Sequence, residues 1–388
     1  MSQRSPFDVI VVGGGLNGLA TAYHLKRMGC DNLAVFEQFP WGHNLGSSHG
    51  EARITRSAYH DRVYAQLMQH SHKESWPQLE RDANEPLIFP YSCCVYGPRS
   101  GPFPDYAEAV LAAGADVIEL DYATAVERFP ALRFNPGDGV LDDRTAGLVA
   151  AERTLQSLLR LARKHDVKLM DQTPILKIEP RNDGVVLHTS DGEWFTERLV
   201  VTAGAWATRL VPQLAQRLFV TRQLVMYLEL GGLSSRLQQG DYPIWAYLAE
   251  GANGLHYSMP SLSHHGIKIA RHMVEGAECN PDEPVPDDNS AMMDYLKEFI
   301  GKRLHAPLQE VLRVEHCLYT NTPTEDFVLD HHPEHPMITI GAGFSGHGFK
   351  FGPLTGQILA ELCLQGTSSI TVFNDNRAKF QCIQTDEG

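Results

Sequence analysis

Three glycines spaced Gly13-x-Gly15-x-x-Gly18 are the first residues in the chain whose pattern implies chemistry. They follow the β-branched run Phe7 to Val12 and precede a helical pattern. In that setting they serve a tight turn, a close approach of backbone to a pyrophosphate, and close packing of helix on strand. The helix start adds unpaired N–H groups and partial positive charge for phosphates. Glu37 ends the next strand about 20 residues further on, where a carboxylate accepts ribose hydroxyls and repels a 2′-phosphate. A glycine turn without a ligand is the plain alternative, but strand, helix and acid together favour a dinucleotide, NAD or FAD. Read plainly, Arg53 and Arg56 would form a solvated face paired with Glu51, and alternation puts Lys268 on the face opposite Ile267 and Ile269. The seven cysteines are scattered and lack CxxC spacing, so neither a disulfide framework nor a zinc site is indicated, and no metal is expected.

These residues need elements to hold them. Leu19, Ala20, Tyr23 and Leu25 put apolar groups on one face of a helix from Leu16 to Met28, which Gly29 stops before a strand from Leu33 to Glu37. This is a βαβ unit. A second helix spans Arg153 to His165, followed by strands Ile175 to Ile178, Gly184 to Thr189 and Trp194 to Thr202. The turns Asp183-Gly184 and Asp191-Gly192 mark these three as a hairpin meander. Residues 221–320 carry mixed strands and an acidic loop, Cys279 to Asp288, in which Pro281, Pro284 and Pro286 oppose regular structure. A buried strand from Met337 to Ile340, a turn from Gly341 to Gly348 and a helix near Pro353 complete the pattern. The fold class is therefore α/β: a discontinuous Rossmann-like nucleotide domain (1–90, 146–220 and 321–388) with a second, mixed-sheet substrate domain (91–145 and 221–320).

Composition narrows the classes. The chain has 388 residues, 43% hydrophobic and 21% charged, which suits a globular protein of two or three domains. Lys and Arg number 33 against 47 Asp and Glu, a formal charge of −14 with no basic run, so nucleic acid and membrane surfaces are poor partners. The N-terminus passes from a polar leader into a strand without the apolar core of a signal peptide, and no run reaches the ~18 apolar residues of a membrane span. Gln384 to Gly388 is not a Ser-Lys-Leu address. A cytoplasmic location is expected.

Val200 to Trp206, a strand entering a small-residue turn, resembles the second fingerprint of flavoproteins, where the chain returns to the FAD domain beside the first. Three further segments resemble the monomeric sarcosine oxidase family, which includes N-methyltryptophan, pipecolate and fructosyl amino acid oxidases. They are Gly46-Ser47-Ser48-His49-Gly50-Glu51-Ala52-Arg53-Ile54-Thr55-Arg56; His316-Cys317-Leu318-Tyr319-Thr320-Asn321-Thr322-Pro323, continued by Phe327 to Asp330; and Gly341-Ala342-Gly343-Phe344-Ser345-Gly346-His347-Gly348-Phe349-Lys350. The likeness runs from the first strand to the last helix.

The resemblance implies an FAD-binding domain in which Gly13, Gly15, Gly18, Glu37, Ser47, Ser48, Gly343, Phe344, Gly348 and Lys350 contact the cofactor, and Cys317 bonds to its 8α-methyl carbon. It implies that His49 and Arg53 lie against the flavin ring, that Arg56 and Lys350 clamp a substrate carboxylate with Gly346 alongside, and that Lys268 assists O2 near flavin N5. His272, Tyr257 and Tyr319 would complete the active site, the tyrosines as aromatic walls. Without the match, a lone buried cysteine or an outward lysine on an edge strand would be the ordinary readings. Two departures stand out: Ala52 where several members carry Thr, and a segment from Tyr242 to Leu255, expected to line the substrate side chain, that matches no single member.

The implied reaction is oxidation of a secondary amino acid, sarcosine, pipecolate or another N-alkyl or cyclic one. A hydride equivalent passes to the flavin, the imine is hydrolysed, and O2 is reduced to hydrogen peroxide. The competing readings are a dehydrogenase that delivers electrons to a carrier, against which Lys268 argues, and a silent nucleotide-binding protein, against which Cys317, Lys268, Arg56 and Lys350 together argue. A monomer is expected.

Overall fold

The computed structural model describes residues 7–232, 242–249, 254–262, 266–272 and 277–382. Phe7–Val12, buried along nearly its whole length, runs parallel to Leu33–Phe36 on one side and to Gly192–Val201 on the other. Lys168–Met170 extends the parallel set beyond Leu33–Phe36, and Ile338–Ala342 adds to Gly192–Val201. Such two-sided burial explains the continuous apolar runs in the sequence. Helices Leu16–Arg27 and Gly352–Gln365 cross in close contact over this sheet, because Gly356 has no Cβ to collide with the Ala20 backbone, 2.6 Å from where one would sit.

The meander forms, with one correction: its first strand is Lys177–Arg181, not Ile175 to Ile178. The turn after Arg181 pairs that residue with Gly184 and so draws a polar segment into the ladder, where Glu179 bonds Lys177 at 3.0 Å and Arg181 at 2.9 Å. Turn geometry fixed the register over apolar pattern. A helix also went unread in 221–320: Ser290–Arg303 packs Leu296 and Ile300 onto the second sheet.

That second sheet has eight strands, drawn from residues 93–143 and 219–321. Its centre is a grid fixed by cross-strand register. One row reads Leu248, Leu255, His272, with Gln223 paired to Cys317 further along; the next Ala246, Tyr257, Ala270, Val225, Glu315; the third Met259, Lys268, Tyr227, Arg313. Because side chains alternate, the intervening Trp245, Ile267, Ile269, Met226 and Leu228 face the opposite way and form a core with the helix Ser290–Arg303. The pairing of Phe219–Leu230 with Leu308–Asn321 is regular through these rows, and its two irregularities come only after Tyr227 and Glu229. A short three-stranded sheet, with Ala52–Thr55 at one edge, supplies the segment that carries Arg53. No helix among the described residues is long and apolar enough to cross a membrane.

Replacing Gly356 with Val should force the two helices apart and lower stability by about 1–3 kcal/mol. A denaturant midpoint equal to that of the parent would contradict this account of the helix crossing.

Candidate active site

A cavity of about 930 Å³ lies between the two large sheets and the three-stranded one. Its walls include Gly13, Gly15, Glu37, Ser47, Ser48, His49, Arg53, Arg56, Tyr257, Lys268, His272, Cys317, Tyr319, Gly343, Phe344, Gly346, Gly348 and Lys350. Gly18 is absent from the walls and serves packing: a Cβ there would lie 1.9 Å from the Gly13 carbonyl oxygen.

At the glycine turn, Gly13 adopts φ +102°, a conformation that favours glycine, and a Cβ would strike the Thr202 carbonyl oxygen at 2.3 Å. The helix Leu16–Arg27 starts without a side-chain cap of its own, and Ser48 Oγ accepts from the Leu16 N–H at 3.1 Å. Glu37 is held by its two carboxylate oxygens, Oε2 accepting from Gly14 N at 2.8 Å and Oε1 from Phe39 N at 2.9 Å. The carboxylate thus faces the glycine turn from just beyond the end of its strand.

Lys268 is on a central strand, not an edge, and only 5% exposed. Its Nζ lies 3.4 Å from the Ala52 carbonyl oxygen. Burial, reinforced by Arg53, pulls its pKa down to about 7. Arg53 turns back on its own loop, donating to the carbonyls of Ala52 at 2.9 Å, Ser47 at 3.1 Å and His49. The solvated pair with Glu51 does not form; Glu51 instead accepts from Ser261 Oγ at 2.7 Å. Ala52 contributes through its carbonyl, so the hydroxyl it lacks is not what these cations use. His49 lines the cavity with Nε2 buried and unpartnered, and burial with Arg53 nearby lowers its pKa to about 4.

Cys317 Sγ is buried 4.0 Å from the Ser47 carbonyl oxygen, and Ser47 Oγ donates to the Leu318 carbonyl. Burial raises the thiol's pKa, while Arg53 and Lys268 oppose the rise. Tyr319, two residues on and on the same face, lines the cavity with Tyr257, and its ring lies 5.5 Å from that of His272. Gly346, at φ +73°, lies so close to Tyr319 that a Cβ would meet the ring at 2.2 Å.

Arg56 and Lys350 come from distant segments yet share this space. Lys350 Nζ donates to Tyr59 Oη at 2.8 Å, and its carbonyl accepts from the Trp76 indole at 2.7 Å. Burial, with Arg56 adding repulsion, lowers the Lys350 pKa to about 7. Arg56 donates to Tyr106 Oη, which in turn donates to the Ala58 carbonyl at 3.1 Å. Burial first, then Lys350 and Arg56, hold His272 near pKa 4 and hence neutral. Sequence reasoning missed Tyr59, Tyr106 and His347. Tyr59 and Tyr106 carry no motif, and His347 stood inside a recognised segment without a role. Of Tyr242 to Leu255, alternate residues Ile244, Ala246, Leu248 and Leu255 line the cavity, while 250–253 lie outside the described residues.

The sequence matches the family described as FAD dependent oxidoreductase over residues 8–362. The chain belongs to that family. It is 30% identical over 399 residues to the monomeric sarcosine oxidase of Arthrobacter sp. (strain TE1826), covering 99% of this chain and all of that one. It is 28% identical to the N-methyl-L-tryptophan oxidase of Citrobacter koseri, over 96% of this chain and 99% of that one. Among solved structures, NikD, an unusual amino acid oxidase essential for nikkomycin biosynthesis, superposes with a TM-score of 0.82 at 19% identity over 98% of this chain and all of that one. The NikD likeness concerns the fold.

The residues present fit FAD. The bare glycine turn, the helix start beside it and the Glu37 carboxylate suit a dinucleotide, and the unpartnered His49 Nε2 and adjacent cations suit a ring that gains negative charge on reduction.

Lys350 holds its proton below pH 7 and loses it above, so the FAD-loaded oxidoreductase should bind a simple carboxylate such as acetate more weakly as pH rises through about 7. Calorimetric titration from pH 6 to 8.5 tests this, and a Lys350→Met variant should flatten the profile. A parent profile that is already flat would refute the charge on Lys350 as the anion's partner.

Proposed function

We propose that the protein oxidises the C–N bond of a secondary amino acid and passes the electrons through FAD to O2, with hydrolysis of the resulting imine and formation of hydrogen peroxide. The observation that carries this reading is the convergence of Arg56 and Lys350 in the same cavity as the dinucleotide cradle. The names of the relatives support it, since sarcosine and N-methyltryptophan are both secondary amino acids.

FAD, when bound, supplies the two-electron acceptor and the later reaction with O2. The remaining work falls to the chain. Arg56 offers a planar two-pronged donor to the carboxylate, and Lys350 a point charge held by Tyr59. The substrate amine must be free of its ammonium proton before oxidation, and the neutral His272 ring beside the site adds no positive charge there. Tyr257 and Tyr319 wall the amine and exclude water. Lys268, its pKa drawn to about 7 by burial and Arg53, carries its proton below that pH, where positive charge favours electron transfer to O2 over delivery to a carrier.

Cys317 Sγ is the sulfur this reading joins to the 8α-methyl carbon of FAD. Its place in the wall supports the assignment, as do the two cations that favour its thiolate. The same reading divides the chain into an FAD-binding unit (1–90, 146–220, 321–388) and a substrate unit (91–145, 221–320), a division supported by which strands join which sheet. It takes the protein as a cytoplasmic monomer; seven free cysteines are consistent with a reducing compartment.

Two measurements test the assignments. Cys317→Ala should bind FAD that acid precipitation releases, whereas the parent pellet should stay yellow; a colourless parent pellet would remove the covalent link. Lys268→Met should slow reaction with O2 about 100-fold while changing anaerobic reduction by substrate far less. Equal losses in both halves of the cycle would contradict the oxygen role, and turnover with an artificial acceptor but never with O2 would favour a dehydrogenase.

A further inference from the structure

The face of the second sheet that looks into the cavity is divided. On the strands Ile267–His272, Phe219–Leu230 and Leu308–Asn321 the members of this face that line the cavity are His272, Lys268, Val225, Glu315, Cys317 and Tyr319, polar but for Val225 and the Tyr319 ring. On the two strands beside them, Ile244–Leu248 and Leu255–Pro260, the same face carries Ile244, Ala246, Leu248, Leu255, Tyr257 and Met259. Leu255 is the direct cross-strand neighbour of His272, and Leu248 of Leu255. The apolar half therefore adjoins the residues that feel Arg56 and Lys350. Its inner members Ile244 and Met259 are sealed in the core, but Leu248, Leu255 and Tyr257 are only partly buried while lining the cavity. An N-methyl group and a single methylene cannot cover three such side chains. Aliphatic surface left open beside a carboxylate clamp is a subsite for carbon attached to the substrate's α-position.

Resting on the oxidase reading above, we propose that the substrate is a secondary amino acid with an apolar side chain or ring of several carbons, seated on Leu248, Leu255 and Tyr257, and that sarcosine is a poor one. Each methylene covered should raise affinity about fourfold. A polar side chain of the same size would lose its hydration there without a hydrogen-bond partner.

The test compares kcat/KM for peroxide formation by the FAD-loaded enzyme with sarcosine, N-methyl-DL-leucine and N-methyl-DL-aspartate. The leucine derivative should exceed sarcosine at least tenfold, the aspartate derivative should fall below both, and Leu255→Asn or Leu248→Asn should lower the leucine-to-sarcosine ratio about tenfold. Calorimetry with acetate and 4-methylpentanoate reads the subsite without turnover, and the longer acid should bind at least tenfold more tightly. Sarcosine matching or surpassing the leucine derivative, with the two carboxylates binding alike, would overturn the subsite and leave the oxidase reading intact. No peroxide from any amine, with 4-methylpentanoate still preferred, would sink the oxidase reading and support the apolar subsite.

Discussion

Cationic side chains gathered in one confined cavity are the constraint from which the rest of this structure follows. Lys268 and Lys350 are both drawn down to about 7 by burial, each with an arginine adding to the effect. Burying like charges is unfavourable unless something answers them. Within the chain the answer is partial: backbone carbonyls of Ala52, Ser47 and His49 around Arg53, and the hydroxyls of Tyr59 and Tyr106 around Lys350 and Arg56. Asp143 near Arg56 and Lys350, and Glu315 and Glu51 near Lys268, offset part of the charge, while the neutral acceptors orient the cations without discharging them.

Holding that arrangement requires elements far apart in sequence to meet with fixed side-chain direction. The second sheet supplies direction through alternation, so that one face of its central strands offers reactive groups and the other an aliphatic core. The first sheet supplies the glycine turn. The segment from Gly46 to Arg56 ties the two together, with Ser48 on the helix start and Ser47 on the strand that bears Cys317. The Trp76 indole, itself 1% exposed, fixes the backbone of Lys350 from a separate helix.

Much of this was legible in sequence because the βαβ unit joins local spacing to a mechanism: a strand, a bare turn, a helix and an acid at one distance. The side of the strand on which Lys268 sits was also readable from alternation, though its central position in the sheet was not, since strand order is a tertiary property. Resemblance to a family located Cys317, Arg56 and Lys350. It could not find Tyr59 or Tyr106, which act through contacts across separate elements and carry no spacing signal. The strand misread at Ile175 and the unread helix Ser290–Arg303 share a cause: apolar pattern was weighed where a turn in one case, and burial against a sheet in the other, decided the outcome.

The ladder between Phe219–Leu230 and Leu308–Asn321 is regular across the reactive rows and departs from register only beyond them. Insertions and deletions should therefore be tolerated unequally along that pair. Near Leu308 an extra residue is one more irregularity where the strands already accommodate two. Near Asn321 it would turn Cys317 and Tyr319 onto the aliphatic core and leave the protein folded but chemically mute, so the length of that short stretch is under stricter constraint than most of its side chains.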